Sequence, residues 1–92
     1  MFAFPDGARW SDSEDAVEFD VQLGDYQAKV YVQRRVFQGL VGARPAPGEC
    51  VAHFHLNRTI FERIAEAKIR ARELGGDANI RISSRDLRVF KR

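Results

Sequence analysis

Two runs of eight residues alternate between apolar and polar side chains. In residues 16–23, Val17, Phe19, Val21 and Leu23 are separated by Glu18, Asp20 and Gln22. In residues 26–33, Tyr26, Ala28, Val30 and Val32 are separated by Gln27, Lys29 and Tyr31, with Gln33 following. A period of two is that of a strand with one dry face. Gly24-Asp25 lies between the runs, and glycine at the first turn position suits a two-residue type II′ hairpin. Counting outward from the turn pairs Leu23 with Tyr26, Val21 with Ala28, Phe19 with Val30 and Val17 with Val32. Asp20 then meets Lys29, and Gln22 meets Gln27, on the other face. A slip of one residue would turn every apolar side chain to water, so the register is well specified. The dry face needs a cover.

Further along, the apolar period lengthens to that of a helix. Leu56, Ile60, Ile64, Ala67, Ala71 and Leu74 recur at steps of three and four, a single stripe that Phe61 and Ala65 widen. Glu62, Glu66, Arg70 and Glu73 gather opposite, with Arg58–Glu62 and Glu66–Arg70 spaced for i,i+4 pairing. This predicts a long helix over 56–74, ended by Gly75-Gly76. Residues 34–41 predict a short helix presenting Val36, Phe37 and Leu40. Residues 42–48, with Pro45 and Pro47, read as a loop, while 49–55 fit either an extended lead-in or the start of the long helix. Residues 78–83 predict a strand with Ala78, Ile80 and Ile82 inward. Ser83 or Ser84 is placed to cap a short turn containing Asp86 and Leu87. Phe2-Ala3-Phe4 predicts a short edge strand ended by Pro5-Asp6-Gly7.

Together these elements predict one α+β domain over residues 1–92. Its small, mostly antiparallel sheet is built from the hairpin, a C-terminal strand and a short N-terminal strand. A short and a long helix cover one face, in the order β-β-β-α-α-β.

Composition narrows the class. A chain of 92 residues buries only about 60–65% of its unfolded surface, so the core is thin. The single cysteine, Cys50, cannot form an internal disulfide, which points to a reducing compartment, and a cytoplasmic location is expected. Residues 1–7 have neither a basic nor an apolar leader region. No run approaches the ~20 apolar residues of a membrane span, so no membrane association is expected.

Charge is unevenly spread. Residues 1–25 hold seven acids and one base, leaving fourteen of the fifteen bases and six of the thirteen acids to the rest. The stretch Arg81, Arg85, Arg88, Lys91, Arg92 faces only Asp86 nearby. Arg34, Arg35, Arg81, Arg85 and Arg88 are therefore the candidate residues for binding nucleic acid or another anion, with Tyr31 on the wet face as a stacking platform. Against this, the same face carries Glu18 and Asp20, and mutual neutralisation of the two ends of the chain explains the asymmetry without a partner.

Catalytic signals are sparse. Cys50-x-x-His53-x-His55 brings together ligand-type residues, but no other cysteine or histidine exists in the chain, and a metal site needs three or four ligands. On a helix, residues two apart point about 200° from each other, so His53 and His55 share a metal only if the segment is extended. A thiol nucleophile there lacks an orienting partner. Gly75-Gly76 follows a helix rather than opening one, so it is not a phosphate loop. No metal and no cofactor are expected. Trp10, in the polar segment Arg9-Trp10-Ser11-Asp12, is expected to fold back over the end of the core, the alternative being an exposed anchor for a partner.

One combination of residues goes further. Phe4-Pro5 followed by Trp10, then Val17-x-Phe19, the Gly24 turn, and Phe54-x-x-Asn57-Arg58-x-x-Phe61-Glu62-x-x-Ala65-x-x-Lys68 resembles the short bacterial proteins grouped as domain of unknown function 1488. The resemblance spans roughly residues 2–88. It implies a stand-alone α+β cytoplasmic bacterial protein with no established activity to carry over. The family's Asn-Arg pair falls on Asn57 and Arg58, where it implies a cap or clamp on a strand end, or a binding site. His53 and His55 lie outside the pattern. The expected function is that of a small non-enzymatic binding or self-associating protein of unidentified partner. The alternatives are nucleic-acid contact through the arginines and metal or thiol chemistry at Cys50, His53 and His55.

Overall fold

The computed structural model describes residues 2–90. The chain runs β1 (Phe2–Ala3), β2 (Arg9–Ser11), β3 (Ala16–Leu23), β4 (Tyr26–Gln33), α1 (Arg34–Val41), α2 (Pro47–Leu56), α3 (Arg58–Arg70), β5 (Ile80–Ile82) and α4 (Ser84–Phe90). It is an α+β fold. The sheet order is β1-β3-β4-β5, with β2 also on β3, and every pairing is antiparallel except β4–β5.

The hairpin has the register that alternation dictates: Leu23 opposite Tyr26, Phe19 opposite Val30, Val17 opposite Val32. Gly24 has φ +59° while Asp25 is not left-handed, as a type II′ turn requires. The dry face is covered by the helices. Phe19, Val21, Val30 and Val32 pack with Phe37 of α1, Phe54 of α2 and Phe61, Ile64 and Ala65 of α3 into one core. Phe54 is its centre, 4.7 Å from the Phe19 ring and 5.6 Å from that of Phe61. Among the described residues, no helix is long and apolar enough to cross a membrane.

Several expectations are corrected. The long helix is two helices that meet at Asn57. The Asn57 amide side chain donates to the His53 carbonyl at 2.9 Å and its backbone N–H to Phe54, closing α2. Its own carbonyl accepts from Ile60 and opens α3. The ambiguous segment 49–55 is thus helical. Pro47 sits at the first position of α2, where its missing N–H costs nothing. Leu56, expected in the buried stripe, is 80% exposed; Ala67, Ala71 and Leu74 are also exposed. The buried line of α3 is centred instead on Phe61, Ile64 and Ala65. The glycines do not end that helix. Arg72 does, left-handed at φ +59°, with Glu73 N–H donating to Lys68 and Arg72 N–H to Ile69 in a Schellman arrangement.

The polar segment around Trp10 is strand β2, with Trp10 opposite Val17 and half-buried against the core. Ala78, expected inward, is exposed at φ +65°. The turn after Ser83 extends into the seven-residue α4.

Candidate functional site

The open face of the sheet carries charge, and that charge is neutralised. Arg9 bonds Asp20 at 3.1 Å and also Glu18, while Lys29 lies 3.3 Å from Asp20 and 3.5 Å from Glu18. The Arg9 hydrogen bond holds the Asp20 carboxyl below its ordinary range despite partial burial. Arg81 makes a bidentate pair with Glu14, both bonds 3.1 Å, and a second with Asp77 at 3.2 and 3.1 Å. This geometry is the strong form of the guanidinium–carboxylate contact. The Arg81 bonds hold Asp77 well below the carboxylate range. Because β5 runs alongside β4 with Arg81 beside Tyr31, the guanidinium lies 5.2 Å over the tyrosine ring. Tyr31 is only 8% exposed. The expected stacking platform is therefore covered.

The five arginines do not form one patch. Arg34 donates to Asp15 at 3.1 Å and to the Pro45 carbonyl at 3.2 Å, and lies 4.8 Å over the Trp10 ring. Arg34 and Arg81 are thus spent on the chain's own acids. Arg35, Arg85 and Arg88 are exposed on α1 and α4. Lys91 and Arg92 lie outside the described residues.

Asn57 caps α2 at the His53 carbonyl, while Arg58 reaches the segment between β1 and β2. Residues 4–8 stand opposite residues 19–21 between β1 and β2, two more on one side than on the other. Arg58 reaches this bulge, donating to the Pro5 carbonyl at 2.9 Å and the Gly7 carbonyl at 3.4 Å. Glu62 holds its Nε at 2.7 Å, and the Phe54 ring lies 5.3 Å beneath the guanidinium.

Cys50 is fully buried, and burial pushes its thiol pKa up. Because the segment is helical, His53 and His55 point to different sides of α2. Among the described residues no three His, Cys, Asp or Glu side chains are grouped to hold a metal.

The remaining surface of interest surrounds α4. Ser83 and Asp86 cap each other: the Ser83 N–H and hydroxyl donate to the Asp86 carboxylate at 2.9 and 3.1 Å, and the Asp86 N–H donates back at 3.4 Å. Lys68 of α3 adds a bond of 3.0 Å to the same oxygen. Burial pushes the Asp86 carboxyl upward, but the Ser83 and Lys68 bonds outweigh it and hold it below its ordinary value. Fixed this way, α4 buries Leu87 and leaves Val89 58% and Phe90 38% exposed.

Two shallow grooves flank it. One, about 560 Å³, lies against α3 and is lined by Ala67, Ala71, Val89 and Phe90, with Arg85 and Glu73. The other, about 700 Å³, lies against α1 and is lined by Val36, Gly39, Leu40 and Leu87, with Arg35 and Arg88. Sequence reading stopped α4 short; the signal was present in Ser83-x-x-Asp86 followed by Leu87, Val89 and Phe90.

The family model described as "Protein of unknown function (DUF1488)" matches residues 3–82. The match ends with β5, so α4 lies beyond it. A solved crystal structure of a DUF1488 family protein of unknown function from Shewanella loihica PV-4 is similar in fold. It has a TM-score of 0.80 at 20% sequence identity, covering 88% of this chain and 90% of that one. No curated protein matches the chain.

Proposed function

Because this chain belongs to the DUF1488 family of proteins of unknown function, which hands it no activity, we propose that it is a non-enzymatic interaction protein that pairs with a second copy of itself across the α3–α4 groove. The carrying observation is the exposure of Val89 and Phe90 beside Ala67 and Ala71. Large apolar side chains left together at a surface mark contact sites. The rim supplies both signs of charge. Arg85 and the mostly exposed Glu73 lie on one groove. In a two-fold dimer a patch meets itself, so each copy's arginine approaches the other's glutamate while the apolar floors close on each other.

The non-enzymatic part of the reading is supported by the state of the reactive groups. The thiol is buried and the two histidines are splayed. The carboxylates of the sheet face are bonded to cations. Nucleic-acid contact is less well supported, since two of the five arginines are neutralised and the tyrosine is covered.

Light scattering over a wide concentration range tests the pairing. The expected mass rises toward twice the monomer, and Ala67→Glu or Val89→Glu restores the monomer with an unchanged circular-dichroism spectrum. A wild-type chain that stays monomeric at its highest soluble concentration overturns the reading.

A further inference from the structure

The groove on the other side of α4 has a different character, and we infer that it docks an acidic, amphipathic segment of another protein. Its floor is apolar, formed by Val36, Leu40 and Leu87, and its two charged lining residues, Arg35 and Arg88, are both cations. Two copies of this groove would bring like charges together, so it does not suit the self-contact. Neither arginine is engaged in an ion pair among the described residues, whereas Arg34, the neighbour of Arg35 in sequence, is tied to Asp15. The groove thus offers two guanidiniums without ion-pair partners among the described residues, each able to take a carboxylate bidentately, beside an apolar lining.

Gly39 supplies an independent observation. It lies inside α1, in ordinary helical backbone, and lines the groove. A Cβ added there would meet nothing within 4 Å. The fold therefore makes no use of the missing side chain, although glycine inside a helix is unfavourable. What the glycine leaves is space, on the surface that carries these cations. An occupant with bulky apolar residues at helical spacing and flanking carboxylates fills it, the helix-in-groove mode of recognition. A nucleic-acid backbone would use the arginines but leave the floor uncovered.

The probe is a labelled synthetic helix of Glu, Leu and Ala with leucines three and four apart. Its controls are the same peptide with Gln for Glu, polyglutamate, and a single-stranded DNA oligonucleotide. Amide shifts in NMR spectra are expected to concentrate at residues 38–42 and 84–88. Binding by anisotropy is expected to weaken about tenfold or more for the Gln peptide and for the Arg35→Glu/Arg88→Glu protein, the size of one good charge-assisted contact. Gly39→Leu should block the peptide without lowering the melting temperature. Absence of binding, shifts away from these residues, polyglutamate or DNA binding as tightly as the Glu-Leu peptide, or full binding by the variants would each overturn the inference. The inference does not rest on self-association. Arg35→Glu/Arg88→Glu leaves the α3–α4 face intact, so light scattering of that variant reads the self-contact separately.

Discussion

Arg58 holds a surplus of backbone with one side chain. Its guanidinium satisfies the Pro5 and Gly7 carbonyls that the bulge removes from strand pairing, and it rests on the central Phe54 ring. Removing it leaves those acceptors to water, and Arg58→Ala is expected to cost about 1.5–3 kcal/mol in urea unfolding. Arg58→Lys should recover little, since an ammonium cannot reproduce a planar fork stacked on a ring. Cys50 offers a second check at this scale. Buried, with its thiol pKa raised, it should react with a thiol reagent only as fast as the protein unfolds. Asn57 and Arg58 were legible as a pair only through the family resemblance, since the helical period runs through them without a break. The targets of Arg58 were not legible, since the carbonyls it reaches are more than fifty positions away. Tyr31 was misread for the same reason. Alternation places it on the wet face, and only the pairing of β4 with β5 brings Arg81 over it.

Elements were legible in proportion to how local their determinants are. The hairpin needs only a period of two and Gly24. The boundary between α2 and α3 depends on what a single asparagine side chain bonds, and the helical period runs straight through it. The end of α3 turns on Arg72 taking a conformation usually left to glycine. In α4, the fixing contacts converge on one carboxylate. Its pKa is depressed on folding, so the stability it contributes is complete above the unfolded value of about 4 and is lost as pH falls through the lower folded value. Asp86→Asn should remove that acid-side dependence and lower stability at neutral pH, both read from thermal melts across pH. In α1, Gly39→Ala meets open space and should raise stability by about 0.5–1 kcal/mol.

At the scale of the molecule, one core centred on Phe54 joins the sheet to four helices. Phe54→Ala should cost about 3–5 kcal/mol, a large share of the roughly 5–15 kcal/mol available to a domain, and calorimetry should show a deep fall in melting temperature. The α+β class and the hairpin register were readable because both follow from which faces must be dry. The parallel placement of β5 was not, because a three-residue strand carries too little pattern to name its neighbour. The lopsided distribution of charge resolves only here, in long-range bonds such as that between Glu14 and Arg81. That bond also sets an order of events during synthesis. A ribosome releases the complete hairpin, ending at Gln33, well before it reaches Ile80. Until then the flank of β4 has no neighbour and Glu14 no counter-ion. Until β5 joins, the nascent chain carries an acidic, half-built sheet, and this strand both covers the β4 flank and discharges it.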